Sequence, residues 1–367
     1  MNLRQLYEVY PAPPRATMPL GVRVNNVLYA GNLTGADPVT GVISVDANVQ
    51  LNQALGLLAD AVRRAGGSAA SLRKLHACVA REEDAAWVMR ALLELAPMAT
   101  VSAGVALLPP GQLLRLDAFA ALDRGDELDA ELIFLGSVPA AARIGDVLFS
   151  AGVGAADIET GALVGDTQMQ MAAAFDNLDR LLAAAGTDRR SILRVGGYLP
   201  DLSEKDVLNG EMVRRFPVAS QKPVHKYVPA SLPAGVAVRL QLIARLGAER
   251  EIIEIDGIKH NDPISLGAKA GNLVVSSRVQ GRLMDDATQQ AERLVESHAR
   301  TVLRHVGGDL GHVTQTTWGI GEPGYAADVA AVMQRYWPGG MPDVRIMEAD
   351  FPHSGLPRLE FIAVLDE

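Results

Sequence analysis

The stretch "RLEFIA" at residues 358–363 sets a charged residue at its third position within an otherwise strand-like apolar pattern. The chain contains the hexamer twice more, as "RLQLIA" at 239–244 and as "RLDAFA" at 115–120. Arginine, leucine and a final alanine are common to all three hexamers, while the third residue changes from Asp117 to Gln241 to Glu360. A short strand that recurs at wide intervals indicates that the chain is built from repeated units.

Longer segments before each hexamer repeat in the same order. The stretch "VRVNNVLYAGN" (22–32) returns as "ARIGDVLFSAG" (142–152) and as "AKAGNLVVSSR" (268–278). Apolar residues at three- and four-residue steps before a glycine then predict a first helix, at 50–67, 170–186 and 292–308. A strand follows, and a second helix is predicted at 85–96, 205–216 and 326–337. Each unit therefore has the order strand, strand, helix, strand, helix, strand.

This order predicts an α+β fold in three tandem copies, at residues 1–125, 126–248 and 249–367. The boundaries fall at the charged stretches 122–131 and 247–257. Two helices cover one face of each sheet, and the other face still has to be buried. Three copies around a pseudo-threefold axis bury those faces together, which predicts an intramolecular pseudo-trimer.

Composition excludes several classes of function. The formal charge of −9 and the absence of long basic runs argue against a nucleic-acid partner. The first sixteen residues lack an apolar core, and no stretch is long and apolar enough to cross a membrane, so we expect a cytoplasmic protein without membrane association. Cys78 is the single cysteine, which excludes an internal disulfide and a cysteine metal cluster.

The repeated segments resemble the Rid family of reactive intermediate deaminases, also called the YjgF family. The middle copy carries the resemblance most clearly, in "GDVLFSAG", "AAAFDNLDRLLAAAG" and "NGEMVRRFP". The resemblance implies a chorismate-mutase-like fold with clefts between neighbouring units, which here lie within one chain that is a monomer or forms a homodimer. It implies hydrolysis of enamines or imines to ketoacids and ammonia, without a metal or organic cofactor and with a small carboxylate as substrate.

The resemblance also implies which residues do the chemistry. The family's glutamate on the last strand, which positions water, falls on Glu360. The arginine on the penultimate strand, which binds the substrate carboxylate, falls on Arg345. The family positions for the arginine are Ala99 or Thr100 in the first copy and Val224 or His225 in the second. The third copy is therefore predicted to hold the competent site, with the catalytic pair Glu360 and Arg345.

Four further residues are predicted to bind substrate. Ser276 and Ser277 stand where the family has a Ser-Gly pair, and Asn209 stands at the family's asparagine on the second helix. His225, next to Lys226, indicates a positive lining for an anionic ligand. Because family sites form between neighbouring units, Asn209 is expected to complete the cleft of Arg345 and Glu360. The family's tyrosine is replaced by Met18, Val138 and Ile264 in the three copies.

Three functions stay open at this point. The first is a Rid-like hydrolase of C–N bonds with one competent cleft. The second is a regulatory protein that binds a small acid without turning it over, which the loss of the tyrosine favours. The third is a related enzyme of another reaction type, such as a chorismate-type hydrolase or lyase.

Overall fold

The computed structural model describes residues 7–10, 19–122, 130–255, 265–278, 284, 286–338, 342–348 and 355–366. These residues form three mixed sheets with helices, and the α+β class is confirmed. The chain divides into two compact units, which we call unit 1 (1–129 with 278–367) and unit 2 (130–277). Met18 and Ile264, two of the positions that replace the family's tyrosine, lie outside the described residues.

The strands and helices follow the repeated order along the chain. In chain order the strands are β1 (Tyr7–Tyr10), β2 (Gly21–Val24), β3 (Val27–Thr34), β4 (Leu72–Val79), β5 (Thr100–Val105), β6 (Leu114–Ala121), β7 (Ala130–Leu135), β8 (Val138–Ile144), β9 (Val147–Ser150), β10 (Ile192–Leu199), β11 (Val224–Pro229), β12 (Arg239–Arg245), β13 (Glu251–Ile253), β14 (Gly267–Ala270), β15 (Leu273–Ser276), β16 (Val313–Ile320), β17 (Asp343–Glu348) and β18 (Arg358–Val364). The helices are α1 (Ala47–Arg64), α2 (Glu82–Leu95), α3 (Thr167–Ala184), α4 (Lys205–Arg215), α5 (Ala287–Arg293), α6 (Arg300–His305) and α7 (Tyr325–Tyr336).

Unit 1 contains a sheet with the strand order β1-β2-β3-β6-β4-β5, in which β4 and β5 run parallel and the other pairs run antiparallel. It also contains β18, β16 and β17, where β16 is antiparallel to β18 and parallel to β17. Unit 2 contains the order β11-β10-β12-β9-β8-β7, again with one parallel pair, β10 and β11. The strands β13, β14 and β15 form an antiparallel meander in unit 2.

The predicted helices are all present, with ends shifted by a few residues. The predicted helix at 292–308 is observed as α5, a π-helical segment at Leu294–Ala299 and α6. The three hexamers lie in β6, β12 and β18, as predicted. In the first sheet, α1 and α2 cover one face and pack against a core that includes Leu75 and Leu116.

Both predicted boundary stretches contain part of a strand. Within residues 247–257, β13 pairs with β14. The stretch 122–131 ends in the first residues of β7, which pairs with β8. The stretch "EREIIEI" at 249–255 mixes charged and apolar residues without a regular period, so its sequence does not indicate the short edge strand.

The first helix of each predicted copy begins with the same capping arrangement, which recurs at equal intervals along the chain. Asp46, Asp166 and Asp286 each cap a helix by accepting a hydrogen bond from a backbone N–H of its first turn. Four residues after each cap stands a buried glutamine, namely Gln50, Gln170 and Gln290. The Gln50 amide donates to the carbonyls of Ser44 and Gly111 and accepts from the Leu113 N–H. Gln170 makes the corresponding bonds to Gly235 and Ala237. The glutamine thus ties the helix to the segment that leads into the last strand.

Among the residues that the structure describes, no helix combines the length and the hydropathy that crossing a membrane requires.

Replacing Gln50 with alanine is expected to lower the free energy of unfolding by about 2 to 3 kcal/mol, because it leaves buried backbone groups without hydrogen-bond partners. Urea unfolding followed by circular dichroism measures the change. Asn52→Ala, at an exposed position on the same helix, serves as the control and should change stability by less than about 0.5 kcal/mol. Equal effects of the two substitutions would contradict the bridging role of Gln50.

Candidate active site

The two predicted catalytic residues of the third copy share one face of their sheet. Thr317 on β16 lies opposite Arg345 on β17 and opposite Glu360 on β18. Residues directly opposite each other on neighbouring strands point to the same face. Arg345 and Glu360 therefore lie on a common face, with the width of one strand between them.

The same register identifies the equivalent positions in the other sheets. In the first, His76 lies opposite Ser102 and Asp117, and in the second, Gly196 lies opposite Lys226 and Gln241. Ser102 and Lys226 are therefore the structural counterparts of Arg345. The positions inferred from sequence, Ala99 or Thr100 and Val224 or His225, were wrong because the start of the penultimate strand could not be fixed by counting residues.

Arg345 meets a carboxylate of the first predicted copy. Its Nη2 lies 3.2 Å from Oδ2 of Asp117 on β6, and the two side chains are only 15% and 7% exposed. The other oxygen of Asp117 accepts a hydrogen bond of 2.9 Å from the backbone N–H of Asn32. Asp117 occupies the hexamer position that corresponds to Glu360. Within unit 1, an arginine of β17 and an acid of β6 thus form a buried pair.

The backbone of β3 is shaped to fit this pair. Its pairing with β6 is irregular between Ala30 and Leu33, and Asn32 there adopts a left-handed conformation with φ of 55°. Asparagine tolerates this region better than most residues. A Cβ on Gly31 would lie 3.0 Å from both carboxylate oxygens of Asp343 and from Cγ of Arg345. The bulge therefore directs an N–H at Asp117 and lets the backbone approach β17 closely.

The charged groups of the cluster shift one another's protonation. Burial by itself would raise the pKa of Asp117, but the positive charges of Arg345 and Arg115 bring it below its usual value. Burial, reinforced by Arg345, lowers the pKa of His76 to about 4. Asp117 is therefore ionised at neutral pH, while His76 is uncharged and lies 2.9 Å from the Ser102 hydroxyl through Nδ1.

Asp343 is the second carboxyl group of the cluster. Burial is the main cause that raises its pKa to about 7, and the negative charge of Asp117 adds to the effect. Gln315 donates a hydrogen bond of 2.7 Å to its Oδ2, which with Arg345 opposes the shift. A large fraction of Asp343 therefore carries a proton near neutral pH.

A cavity of about 650 Å³ adjoins the cluster within unit 1. Its lining includes Leu20, Asn32, Leu57, Arg115, Ala330 and Ile346. Asn32 joins the cavity wall to Asp117 through its backbone N–H. Ala330 stands at the position where the resemblance places the family's asparagine. The volume is in the range of pockets that hold small molecules.

Glu360 lies in a different charged environment. It is completely buried, and its Oε2 lies 3.7 Å from Nη2 of Arg278, a side chain that is itself 6% exposed. Arg278 also contacts the sulfur of Met347 at 3.6 Å. Arg345 and Glu360, the predicted catalytic pair, thus lie on one face of their sheet. The described salt bridge of Arg345 is formed with Asp117.

The remaining predicted residues lie in unit 2. Nε2 of His225 on β11 is 3.1 Å from Oδ1 of Asn209 on α4, so the structure brings these two together. His225 and Lys226 are adjacent on β11, so their side chains point to opposite faces of the sheet. His225 faces α4, whereas Lys226 lies on the face that corresponds to that of Arg345. Ser276 and Ser277 are fully buried at the end of β15. Asn209 and Arg345 belong to different units, and their pairing stays a prediction.

Several polar residues of these faces were missed by the sequence interpretation. In unit 2, Lys226 is 8% exposed and its side chain passes over Gly196, while the Tyr198 hydroxyl donates to Gln241 at 3.0 Å. In unit 1, the sequence did not predict a site role for His76, Arg115 or Asp343. The first residue of the hexamer, an arginine in every copy, was the signal available for Arg115.

The fold and the cluster together define an α+β protein with a buried charged site beside a small-molecule cavity. Residues 136–246 match the family model described as endoribonuclease L-PSP. A RutC family protein of Pyrococcus abyssi is 30% identical over 112 residues, which are 30% of this chain and 87% of that protein. A RutC family protein of Aquifex aeolicus is 30% identical over 111 residues, with 30% and 89% covered.

Among solved structures, the chain is similar to the Rid-family protein YyfA of Yersinia pestis, with 22% identity and a TM-score of 0.29, over 32% of this chain and 99% of that one. The sequence matches show that the chain belongs to the Rid family, also named YjgF, RutC or L-PSP, with the matched family domain at residues 136–246. This range lies in the middle copy, where the resemblance was predicted to be clearest.

Replacing Asp343 with asparagine is expected to remove a pH dependence of stability. The folded chain binds this proton more tightly than the unfolded chain, since the pKa rises from 3.8 to about 7 on folding. The free energy of unfolding of the wild type therefore falls relative to Asp343→Asn as the pH rises from about 4 to about 7, by roughly 2 to 4 kcal/mol.

Urea unfolding at about pH 5 and about pH 8 measures this difference. Asp60→Asn is the matched control, because Asp60 pairs with Arg63 and Arg64 near the surface. A free energy of unfolding of the wild type that stays constant relative to Asp343→Asn between the two pH values, or that rises relative to it as the pH rises, is incompatible with a raised pKa at Asp343.

Proposed function

We propose that the protein is a Rid-type hydrolase that converts a carboxylate-bearing imine or enamine to a ketoacid and ammonia in the cleft where Arg345 meets Asp117. The 3.2 Å separation of these two side chains is the observation that carries the proposal. Family resemblance implies an arginine on the penultimate strand and an acid on the last strand, in clefts between neighbouring units. Arg345 and Asp117 meet that description as residues of the third and first predicted copies.

We also infer three tandem Rid-like copies arranged as a pseudo-trimer. Three lines of observation support this. The Asp and Gln residues that begin the first helices recur at equal intervals along the chain. In each sheet, the strand register sets residues of three neighbouring strands opposite one another at equivalent positions. Finally, β17 packs against β3 within unit 1. Burial of otherwise open sheet faces provides the physical reason for fusing the copies.

The roles follow from the chemistry of the groups. We assign the substrate carboxylate to Arg345, because a guanidinium presents five N–H donors in a planar fork that matches the two oxygens of a carboxylate. The ionised Asp117 orients a water molecule and accepts its proton as the oxygen adds to the imine carbon. The C–N bond then breaks, nitrogen leaves as ammonia with the protons from water and solvent, and a keto group remains. An enamine first takes a proton at carbon to give the imine.

Glu360 provides the alternative position for the acid. It shares a sheet face with Arg345 and corresponds in sequence to the family's glutamate, but its described salt bridge joins Arg278. Asp117 is shorter by one methylene group, and the bulge of β3 supplies an N–H that fixes it in place. We therefore assign the catalytic acid of this cleft to Asp117 and treat Glu360 as the residue that tests the assignment.

A second candidate function is binding of a small ketoacid without turnover. It is favoured by the lowered pKa of Asp117, since a carboxylate stabilised by Arg345 is a weaker base. The same cleft and the same arginine would hold the ligand. The two functions differ in whether ammonia release exceeds the spontaneous rate.

Arg345→Ala and Asp117→Asn are expected to lower kcat/KM for freshly generated 2-aminoacrylate by about 100-fold or more, because each removes a group that contacts the reacting molecule. Ammonia release above the spontaneous rate is the measurement. Asp60→Asn, a surface acid on α1, is the matched control and should keep wild-type activity.

Glu360→Gln decides between the two acids. Loss of activity in Glu360→Gln with retention in Asp117→Asn would move the site to Glu360. A wild type without activity toward any imine, but with ketoacid binding that Arg345→Ala abolishes in titration calorimetry, would establish the binding function instead.

A further inference from the structure

Leu57 on α1 holds the position that Asn177 holds on α3, since each follows the buried glutamine of its helix by the same number of residues. In unit 2, Nδ2 of Asn177 donates to the carbonyl of Gly154 at 2.9 Å and to that of Ala156 at 3.0 Å. A leucine side chain has no hydrogen-bond donor. In unit 1, Leu57 therefore presents an apolar surface where unit 2 has an amide that ties the helix to a loop.

The loops beside these two helices have the same turn, which fixes how their residues correspond. Oδ1 of Asp37 and Oδ1 of Asp157 each accept hydrogen bonds from the N–H groups two and three residues further on and from a threonine hydroxyl. Thr34 and Ala36 of unit 1 therefore correspond to the two carbonyl acceptors of unit 2. Both line the cavity of unit 1 together with Leu57.

Gln112 and Val236 show the opposite difference between the two units. Each lies between the two residues that the buried glutamine of the first helix binds. Val236 is a buried apolar residue, whereas Gln112 brings an amide to the cavity wall. Among the described residues, Oε1 of Gln112 is buried without a hydrogen-bond partner. Such an atom is unfavourable by itself, so this amide indicates that a bound molecule supplies a partner.

The charges in the cavity wall are balanced and engaged. Among the described lining residues, the charged ones are Asp37 and Arg115. Asp37 accepts the hydrogen bonds of its own turn, and Nη2 of Arg115 donates to the carbonyl of Ile346 and lies 3.7 Å from the sulfur of Cys78. The wall therefore has no net charge. An uncharged molecule loses less hydration than an ion on entering such a site.

The rest of the lining is mainly apolar. The apolar lining residues include Leu20, Leu33, Ile346 and, on one side of α7, Ala327 and Ala331. The volume of about 650 Å³ lies in the range of pockets that enclose small molecules. Neither Arg345 nor Asp117 is among the described lining residues, so the cavity is a site of its own beside the charged pair.

We propose that the cavity of unit 1 binds a small uncharged molecule that has an apolar ring or chain and one hydrogen-bonding group. The apolar part packs against Leu57 and the alanines of α7, and the hydrogen-bonding group meets the amide of Gln112, which offers both an acceptor and donors. Leu57 and Gln112, in place of Asn177 and Val236, distinguish this site from the corresponding place in unit 2.

Fluorescence titration with N-phenylnaphthylamine tests the site, because this uncharged aromatic amine has two apolar ring systems and one N–H donor. The wild type is expected to bind one molecule per chain, at least about tenfold more tightly than it binds the sulfonated analogue anilinonaphthalene sulfonate. Leu57→Asn, which introduces the side chain of unit 2, and Gln112→Val should weaken binding of the amine by about tenfold and about threefold. Leu93→Asn makes the matched change at an exposed position of α2 and should keep the wild-type affinity.

Ala331→Trp is a second variant with little risk to folding, since Ala331 is exposed and lines the cavity. A bulky ring there fills the space and should abolish binding, and circular dichroism establishes that each variant is folded. Unchanged affinity in Ala331→Trp, equal affinity for the sulfonated analogue, or the absence of saturable binding to the wild type overturns the proposal. An equal loss in Leu93→Asn and Leu57→Asn also overturns it. The titration needs no turnover, so its outcome is separate from that of the proposed function.

Discussion

The buried pairing of Arg345 with Asp117 is the interaction on which the arrangement of the candidate site depends. Removing a carboxylate from water is unfavourable unless a positive charge and hydrogen-bond donors replace the solvent. Asp117 receives both, from Arg345 and from the backbone N–H of Asn32. Each donor comes from a different strand, β17 and β3, so the position of the carboxylate fixes the distance between those strands. The left-handed Asn32 and the absence of a side chain at Gly31 are consequences of that fit.

The other titratable groups of the cluster limit its total charge. Among the described residues of the cluster, Arg345 and Arg115 lie near the ionised Asp117, while burial keeps His76 uncharged and favours the protonated form of Asp343. An ionised Asp343 would add a second negative charge beside Asp117. Its raised pKa therefore makes the potential around Arg345 less negative than full ionisation would. The protonation of one residue that has no direct place in the reaction thus affects how strongly a carboxylate is attracted.

The sequence was sufficient to predict the repeated elements, because helix periodicity, helix caps and the hexamer strands are local signals. It predicted α1, α3 and the three last strands, and it identified the variable hexamer position. It failed for β13, a short edge strand flanked on both sides by charged residues. It also failed for the counterparts of Arg345, since a parallel pairing such as β16 with β17 has a register set by long-range contacts. The partner of Arg345 could not be found from spacing within one predicted copy, because Asp117 lies in a different predicted copy.

One face of each sheet is a packed apolar core, while the other carries polar residues that differ between the sheets. This difference explains how the polar side chains can change while the fold is kept. The helix-covered faces repeat similar apolar residues, such as Leu75 and Val195, because each has to fill a closely packed core. The opposite faces carry Ser102, Lys226 and Arg345 at one position and Asp117, Gln241 and Glu360 at another. In a symmetric homotrimer a substitution at such a position appears in all three clefts at once. In a single chain each position changes alone, so an acid can become an amide in one sheet while another sheet retains a charged pair that serves the cleft.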